Sequence, residues 1–383
     1  MEWTRIKEDQ EGLVLKPYAS FSSKSRGRDL YEDPCPIRTI YERDANRIQY
    51  SSQFRRLRHK TQVFFNTKND HVCTRLEHVL NVSAISETIA KTLGLNPELT
   101  RAIALGHDIG HAPFGHTGER VINKCLASCQ HPFKFRHEEQ SLRVVERLVT
   151  YTTKDGKSRH GLNLSYEVRD GIVCHCGEIR NEYILHRDTS KSMDSLKDPH
   201  IAEQRPYTLE GCLVRLVDKI AYVGRDIEDA VRVGLISDDD INSSCRQVLG
   251  KNNGEIINTL VMDVIENSYG EDVIRLSDEK GEALRQLIDE NYAKIYSADK
   301  IRRYENTTEN MLEGLFESLY NAVNTMTEDE MVNGDLELYR QFGSFIKVHE
   351  YGRDETNEHK VADFLSGMTD AYAIKAFESV YLL

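Results

Sequence analysis

The stretch ALGHDIGHAPFGHTGE, residues 104–119, carries His107, Asp108, His111, His116 and Glu119 among Gly110, Pro113 and Gly115. Imidazole nitrogens and carboxylate oxygens are donors that suit Mn, Fe, Co, Ni or Zn, and suit Mg less well. Neighbours such as His107 and Asp108 can share one cation only if side chains from elsewhere complete its sphere. His78 and Asp218 are the candidates, because each lies on a strongly amphipathic stretch but off its apolar stripe. The later stretch has a polar face of Asp218, Tyr222, Arg225 or Asp226, and Asp229 at three- and four-residue spacing. Singly, these residues read as solvated side chains or hydrogen-bonded helix ends. Five of the 14 histidines fall between 107 and 137, however, a density that solvated helices rarely need. The spacing is not H-E-x-x-H, which disfavours a zincin-type protease. Gly110, Pro113 and Gly115 predict a tight bend after a helix, turning His111, His116 and Glu119 back toward one pocket as acid and base groups beside the cation.

The elements that must position these groups read as helices. The first fifty residues are polar and without a long period, which predicts an extended arm leading into a helix. From residue 51 the pattern is helical. In TRLEHVLNVSAISETIAKTLGL the core stripe is Leu76, Leu80, Ile85, Ile89 and Leu93, closed by Gly94. Asn96-Pro97 supplies an N-cap and a first helical turn for a helix carrying LTRAIALGHD. TLEGCLVRLVDKIAYVGRDIEDAVRV places Leu209, Leu213, Leu216, Ile220, Val223, Ile227 and Val231 in steps of three and four, the clearest amphipathic helix of the chain. Further helices are expected at FRHEEQSLRVVERLV, ENMLEGLFESLYNAV and KVADFLSGMTDAYAIKAF. Strand signals reduce to one surface hairpin in YTTKDGKSRHGLNL, turning at Asp155-Gly156. The expected fold class is mostly α, with an arm over 1–50, a core over 51–235 and a C-terminal helical region over 236–383 packed on it.

Composition narrows the function classes. A chain of 383 residues with 39% apolar residues can bury a substantial core without disulfides. With 62 acidic against 50 basic residues, its net charge of -12 disfavours broad binding to nucleic acid or anionic lipid. The sequence holds no apolar run long enough to span a bilayer and no signal-peptide pattern in MEWTRIKEDQEG, so a soluble, cytoplasmic protein is expected. Its eight cysteines are scattered and read as reduced. Cys174, His175 and Cys176 are too few and too close for a closed tetrahedral site, and a second metal site is not expected there.

The order His78, His107-Asp108, Asp218 resembles the H…HD…D signature of HD-domain phosphohydrolases. The segments QYSSQFRRLRHKTQVF, TRLEHVLNVSAIS, GHDIGHAPFGHTGE, FRHEEQSLRVV, DKIAYVGRDIEDAV and DFLSGMTDAYA resemble, in order, the bacterial deoxyguanosine triphosphate triphosphohydrolase family over nearly the whole chain. The resemblance implies a multi-helix HD-domain fold in which His78, His107, Asp108 and Asp218 hold one divalent cation. It implies attack of water on the α-phosphorus of a deoxynucleoside triphosphate, giving a deoxynucleoside and tripolyphosphate. His116 and Glu119 match the family's GHxGE pair, which acts on the attacking water, and His137 in FRHEEQS matches a second active-site histidine. Lys219, Tyr222 and Asp226 match phosphate- and sugar-contacting positions, Gln62 a glutamine near the sugar 3′-hydroxyl, and His111 a phosphate-contacting histidine of some relatives.

Arg75, one turn before His78, reads either as a bidentate phosphate grip or as a surface ion pair. The runs Arg55 to Lys60 and Lys300 to Tyr304 read mainly as exposed charge, although the first offers a channel where single-stranded nucleic acid would bind. Relatives assemble as tetramers or hexamers, and some bind a nucleotide activator between subunits. The alternatives are an HD-type nucleotidase acting on monophosphates, an alarmone hydrolase, or a nucleotide sensor with little turnover.

Overall fold

The computed structural model describes residues 2–64, 71–152, 156–176, 182–237, 240, 241, 243–352 and 355–381, and nearly all of its regular structure is helical. The N-terminal segment is not the extended arm that its polarity suggests: it forms α1 (Glu2–Val14) before α2 (Ile40–Tyr50) and α3 (Ser52–Arg56). Long-range carboxylate contacts hold it. Glu11 accepts from Ser22 N at 2.8 Å and Asn96 Nδ2 at 3.1 Å, while Glu210 accepts from the backbone amides of Ser20 and Asn96 at 3.0 and 2.9 Å. Such partners are invisible to a local periodicity argument.

Next come α4 (Arg75–Leu93) and α5 (Pro97–Gly106). Asn96 Oδ1 accepts from the amides of Glu98 and Leu99 at 3.0 and 3.2 Å, so the Asn-Pro pair starts α5 where expected. Gly94 closes α4 at φ 70°. Of the expected stripe of α4, Ile89 and Leu93 are buried and Leu76 and Ile85 pack against the core, but Leu80 is 45% exposed, and His78, Val79, Val82, Ser83, Ser86 and Ala90 are buried as well. The helix packs against α5 on one side and a later long helix on another, and this two-sided packing buries small and polar residues that hydrophobicity alone does not select.

The bend is real. Phe114 and Gly115 both adopt left-handed backbone, at φ 60° and 59°, and reverse the chain into α6 (Gly115–Leu126). After α7 (His137–Arg143) and one π turn, β1 (Thr150–Thr152) and β2 (Ser158–His160) pair antiparallel as the expected hairpin. Gly156 of its turn has φ 79°, and Asp155 lies outside the described residues. The chain continues through α8 (Tyr166–Val173), β3 (Ile184–Leu185), α9 (Leu209–Arg232), α10 (Ser243–Leu249), α11 (Asn253–Ser268) and β4 (Ile274–Arg275). β3 and β4 form a second small antiparallel ladder, which the sequence reading did not include. The last elements are α12 (Asp278–Asn291), a π turn at Tyr292–Tyr296, α13 (Asp299–Thr325), α14 (Glu328–Asn333), α15 (Glu337–His349), α16 (Asn357–Ser366) and α17 (Asp370–Tyr381). KVADFLSGMTDAYAIKAF is thus two helices, parted at Gly367.

One buried apolar cluster takes residues from Ala19 to Ile295, with α5, α8 and α9 at its centre. A second joins Val121, Ile122 and Leu126 of α6 to residues of α13, α15, α16 and α17. The bend between α5 and α6 therefore connects the two clusters. No helix among the described residues is long and apolar enough to cross a membrane.

A Cβ on Gly110 would lie 2.1 Å from Ser141 N and 2.4 Å from Gln140 C, both backbone atoms of α7. Gly110→Ala should therefore lower unfolding stability by about 3 kcal/mol or push α7 away from the bend. Gly12→Ala, with nothing within 4 Å of the added carbon, should be neutral or slightly stabilising. Urea unfolding of both variants checks this; equal midpoints would show that the bend tolerates a side chain.

Candidate active site

His78 sits in the first turn of α4, His107 and Asp108 follow the C-terminal end of α5, and Asp218 lies midway along α9. Packing of α4 against α5 and α9 brings them together. His78 Nε2 is 2.8 Å from Asp218 Oδ1 and 3.9 Å from Asp108 Oδ2, while His107 Nε2 is 3.6 Å from Asp108 Oδ1 and 3.8 Å from Asp218 Oδ1. His107 Nδ1 donates to Ala104 O at 2.7 Å, which leaves the neutral ring's lone pair on Nε2. That atom is fully buried and has no hydrogen-bond partner among the described residues. A buried, unsatisfied imidazole nitrogen facing two carboxylates fits a divalent cation.

Arg75 is neither a surface ion pair nor free to grip a ligand with its whole fork. It is 2% exposed, and its guanidinium lies 2.6 Å from Asp108 Oδ2. Burial works against the charge on Asp108, but Arg75, followed by His107, His111 and His78, holds the carboxyl well below its ordinary range. Asp218 is likewise held at about 2: burial opposes ionisation, and the hydrogen bond and charge of His78 overcome it.

The bend carries the second half of the site. His111 is buried, with Nε2 3.4 Å from Asp108 Oδ1, and its ring stacks on that of His137 at 3.9 Å. His137 opens α7, and its Nδ1 lies 2.9 Å from Glu119 Oε2. Glu119 therefore pairs with His137; its expected companion, His116, instead stands edge-on to His111 and His137 at centroid distances of 5.4 and 5.9 Å. Although the His116 side chain is accessible, the surrounding protein and the charge of His137 bring its pKa down to about 4. His137 shifts the other way. Burial disfavours its protonation, but Cys176, Glu138 and Glu119 outweigh that and raise its pKa well above the ordinary value.

On α9 the buried Lys219 ammonium donates to Glu182 O at 3.2 Å. Tyr222 is half-buried one turn beyond Asp218, and the buried Asp226 accepts from the Tyr296 hydroxyl. Burial pushes the Asp226 carboxyl up to about 7 despite that hydrogen bond. Gln62 keeps a buried Oε1 without a partner among the described residues and runs its backbone beside Gly115. Of the first basic run, Lys60 is buried and donates to His111 O and to Ser366 O at 2.8 Å, whereas Arg55, Arg58 and His59 are exposed. Arg302, Arg303 and Tyr304 are exposed, consistent with solvated charge.

Two residues to which the sequence reading gave no part in the site stand at it, Tyr296, which it did not name, and His175, which it weighed only as part of a second metal site that it did not expect. Tyr296 reaches Asp226 from the π turn after α12, and no motif announces it. His175 is 1% exposed, with its ring 4.9 Å from His107 and its Nε2 4.0 Å from Asp108 Oδ1. Its position at the end of α8, flanked by cysteines, is a signal that the count of ligand types undervalues.

Residues 75–223 match the HD domain and residues 274–379 the phosphohydrolase-associated domain. A protein of Caldanaerobacter subterraneus subsp. tengcongensis is 40% identical over 100% of this chain and 96% of its own length. Relatives from Desulfatibacillum aliphaticivorans, at 36%, and Clostridium perfringens strain SM101, at 37%, each align with 98% of this chain and 96% of their own length. All three are described as deoxyguanosinetriphosphate triphosphohydrolase-like proteins.

The Asp226 shift has a sign that can be measured. With a pKa of about 7 folded against 3.8 unfolded, the native state holds this proton more tightly. The ionised carboxyl therefore destabilises the fold increasingly as pH rises from 4 to 7, and fully above 7. Asp226→Asn removes that cost. Its stability relative to the parent should rise across this window, by roughly 3 kcal/mol. Urea unfolding at pH 5 and pH 8 reads the difference; the same offset at both would refute it.

Proposed function

Because this chain belongs to the deoxyguanosinetriphosphate triphosphohydrolase-like family of HD-domain proteins, which are phosphohydrolases, we propose that it hydrolyses deoxynucleoside triphosphates, dGTP among them. The products are the deoxynucleoside and intact tripolyphosphate, from attack of water at the α-phosphorus. The observation that carries this reading is the unsatisfied His107 Nε2 facing Asp108 and Asp218, with His78 beside them. In this reading His78, His107, Asp108 and Asp218 hold one divalent cation, drawn from Mn, Mg, Co, Fe, Ni or Zn. When bound, the cation supplies charge neutralisation for the triphosphate and acidifies water.

The chain's own residues divide the proton handling by their opposite shifts. His116, neutral at ordinary pH, orients the attacking water and accepts its proton. His137, kept protonated and oriented by Glu119, faces the phosphates as a cation and gives a proton to the departing oxygen. Arg75 keeps Asp108 ionised, and His111 approaches the phosphates from between Asp108 and His137. Lys219, Tyr222 and Asp226 follow one face of α9 from Asp218 and meet phosphate and sugar, and the unpaired Gln62 Oε1 accepts from the sugar 3′-hydroxyl. A homo-oligomer, tetramer or hexamer, belongs to the same reading.

Incubating the protein with each dNTP, dGMP and GTP, in Mn, Mg or Co, should release tripolyphosphate from dNTPs alone. Pyrophosphate, orthophosphate or turnover of dGMP would overturn the assignment. His107→Ala should lose both its bound metal, by elemental analysis, and its turnover. His116→Ala should keep the metal and slow by roughly 10²- to 10⁴-fold. Full activity with unchanged metal in His107→Ala would remove that residue from the ligand set.

A further inference from the structure

His107 and His175 are fixed in the same tautomer by the same device. Each Nδ1 donates to a backbone carbonyl three residues earlier, His107 to Ala104 O at 2.7 Å and His175 to Ile172 O at 2.6 Å. A carbonyl can only accept, so each neutral ring presents its lone pair on Nε2. His137 is held alike by a carboxylate, with Nδ1 2.9 Å from Glu119 Oε2, an arrangement that also orients histidine ligands in metal sites. The Nε2 of His107 belongs with the His78 and Asp218 group.

His175 Nε2 adjoins both groups, lying within 4.8 Å of donor atoms of His107 and Asp108 and also of those of His137 and Cys176. Among the described residues His175 Nε2 has no hydrogen-bond partner although the residue is 1% exposed, and His137 Nε2 meets Cys176 Sγ at 3.3 Å. These three donor atoms lie within 4.8 Å of one another. Cys174, by contrast, is turned away, with Lys191 Nζ 3.2 Å from its sulfur and its thiol donating to Ile201 O at 3.2 Å. The end of α8 thus splits the Cys-His-Cys triplet, so its spacing in sequence does not limit what His175 and Cys176 can do once His137 arrives from α7.

We propose that His137, His175 and Cys176 form a second divalent-cation site of zinc type, next to the His78, His107, Asp108 and Asp218 cluster. Two imidazoles and a thiolate are a borderline-soft donor set that favours zinc or cobalt and excludes magnesium and calcium. Bonds of about 2.0 Å to nitrogen and 2.3 Å to sulfur at tetrahedral angles separate N and S by about 3.6 Å. The observed 3.3 Å between His137 Nε2 and Cys176 Sγ needs only a small opening. On binding, Cys176 releases its thiol proton and His137 its Nε2 proton to solvent, so the form loaded at this site lacks the His137 acid of the proposed reaction and the second ion takes its place as the positive charge. Asp108 Oδ1, 4.0 Å from His175 Nε2 and 3.6 Å from His107 Nε2, stands between the two sites and is placed to serve both.

The test is metal stoichiometry and spectroscopy of the full chain, stripped under reducing conditions and reloaded with Co²⁺. The parent should bind two equivalents and show a thiolate-to-cobalt charge-transfer absorption in the near ultraviolet. Cys176→Ser should lose that absorption and one equivalent while its circular dichroism is unchanged, and His175→Gln should also lose one equivalent. His78→Ala should keep the absorption while losing the other ion. A parent with one equivalent and no such absorption, or an absorption that survives Cys176→Ser, would overturn the second site. Retention of both ions in His78→Ala would instead count against the His78 ligand assignment and leave the second site standing.

Discussion

Asp108 carries a negative charge where water hardly reaches, and the surrounding structure is arranged to make that tolerable. Its outer oxygen is held by the buried Arg75 at 2.6 Å, and its inner oxygen faces His107, His111 and His175 at 3.4 to 4.0 Å. A buried carboxylate without such compensation would cost several kcal/mol or take up a proton. The dependence runs both ways. The imidazoles have no other anion as central to all of them, and burial alone would disfavour their charged forms. Because Arg75 and His78 share the first turn of α4, the helix that contributes a candidate ligand also supplies the counter-charge.

The C-terminal helices hold this arrangement shut from behind. Asp370, at the start of α17, accepts from Thr61 N at 2.8 Å and from Phe114 N at 2.9 Å, tying the Gln62 segment to the left-handed residue of the bend. Asp363 of α16 takes Gln140 and Arg143 of α7 at 2.7 to 2.9 Å, which fixes the helix that begins with His137. Lys60 spans the two regions by donating to His111 O and Ser366 O, and burial brings its pKa down to about 7. Side chains far from the HD segment thereby fix the orientation of its histidines.

Electrostatics separates the histidines into distinct chemical types although they are close together. His111 and His175 are pushed down by burial and by neighbouring positive charge, His116 by the surrounding protein and the charge of His137, and all three stay neutral. His78 and His137 are raised against their own burial, His78 by the Asp218 carboxylate in contact with it and His137 by Cys176, Glu138 and Glu119. One kind of side chain thus supplies lone pairs at some positions and protons at others, and the partner atom decides which.

The sequence by itself determined the helical class, the start of α5 at Asn96-Pro97, the bend at Gly110 to Gly115 and the grouping of His107, Asp108, His111, His116 and Glu119. These follow from local chemistry: a cap satisfies amides two and three residues ahead, and a left-handed turn needs residues within a few positions. His78 and Asp218 were candidates too, although the structure buries His78 on a packed face of α4 rather than off it. Only the tertiary structure decided the partners. It gave Glu119 to His137, set Arg75 on Asp108, turned Leu80 outward, folded the N-terminal segment into a helix and brought Tyr296 and His175 to the site. Each of these depends on atoms distant in the chain or on which neighbour packs against a helix face, and neither periodicity nor spacing encodes that.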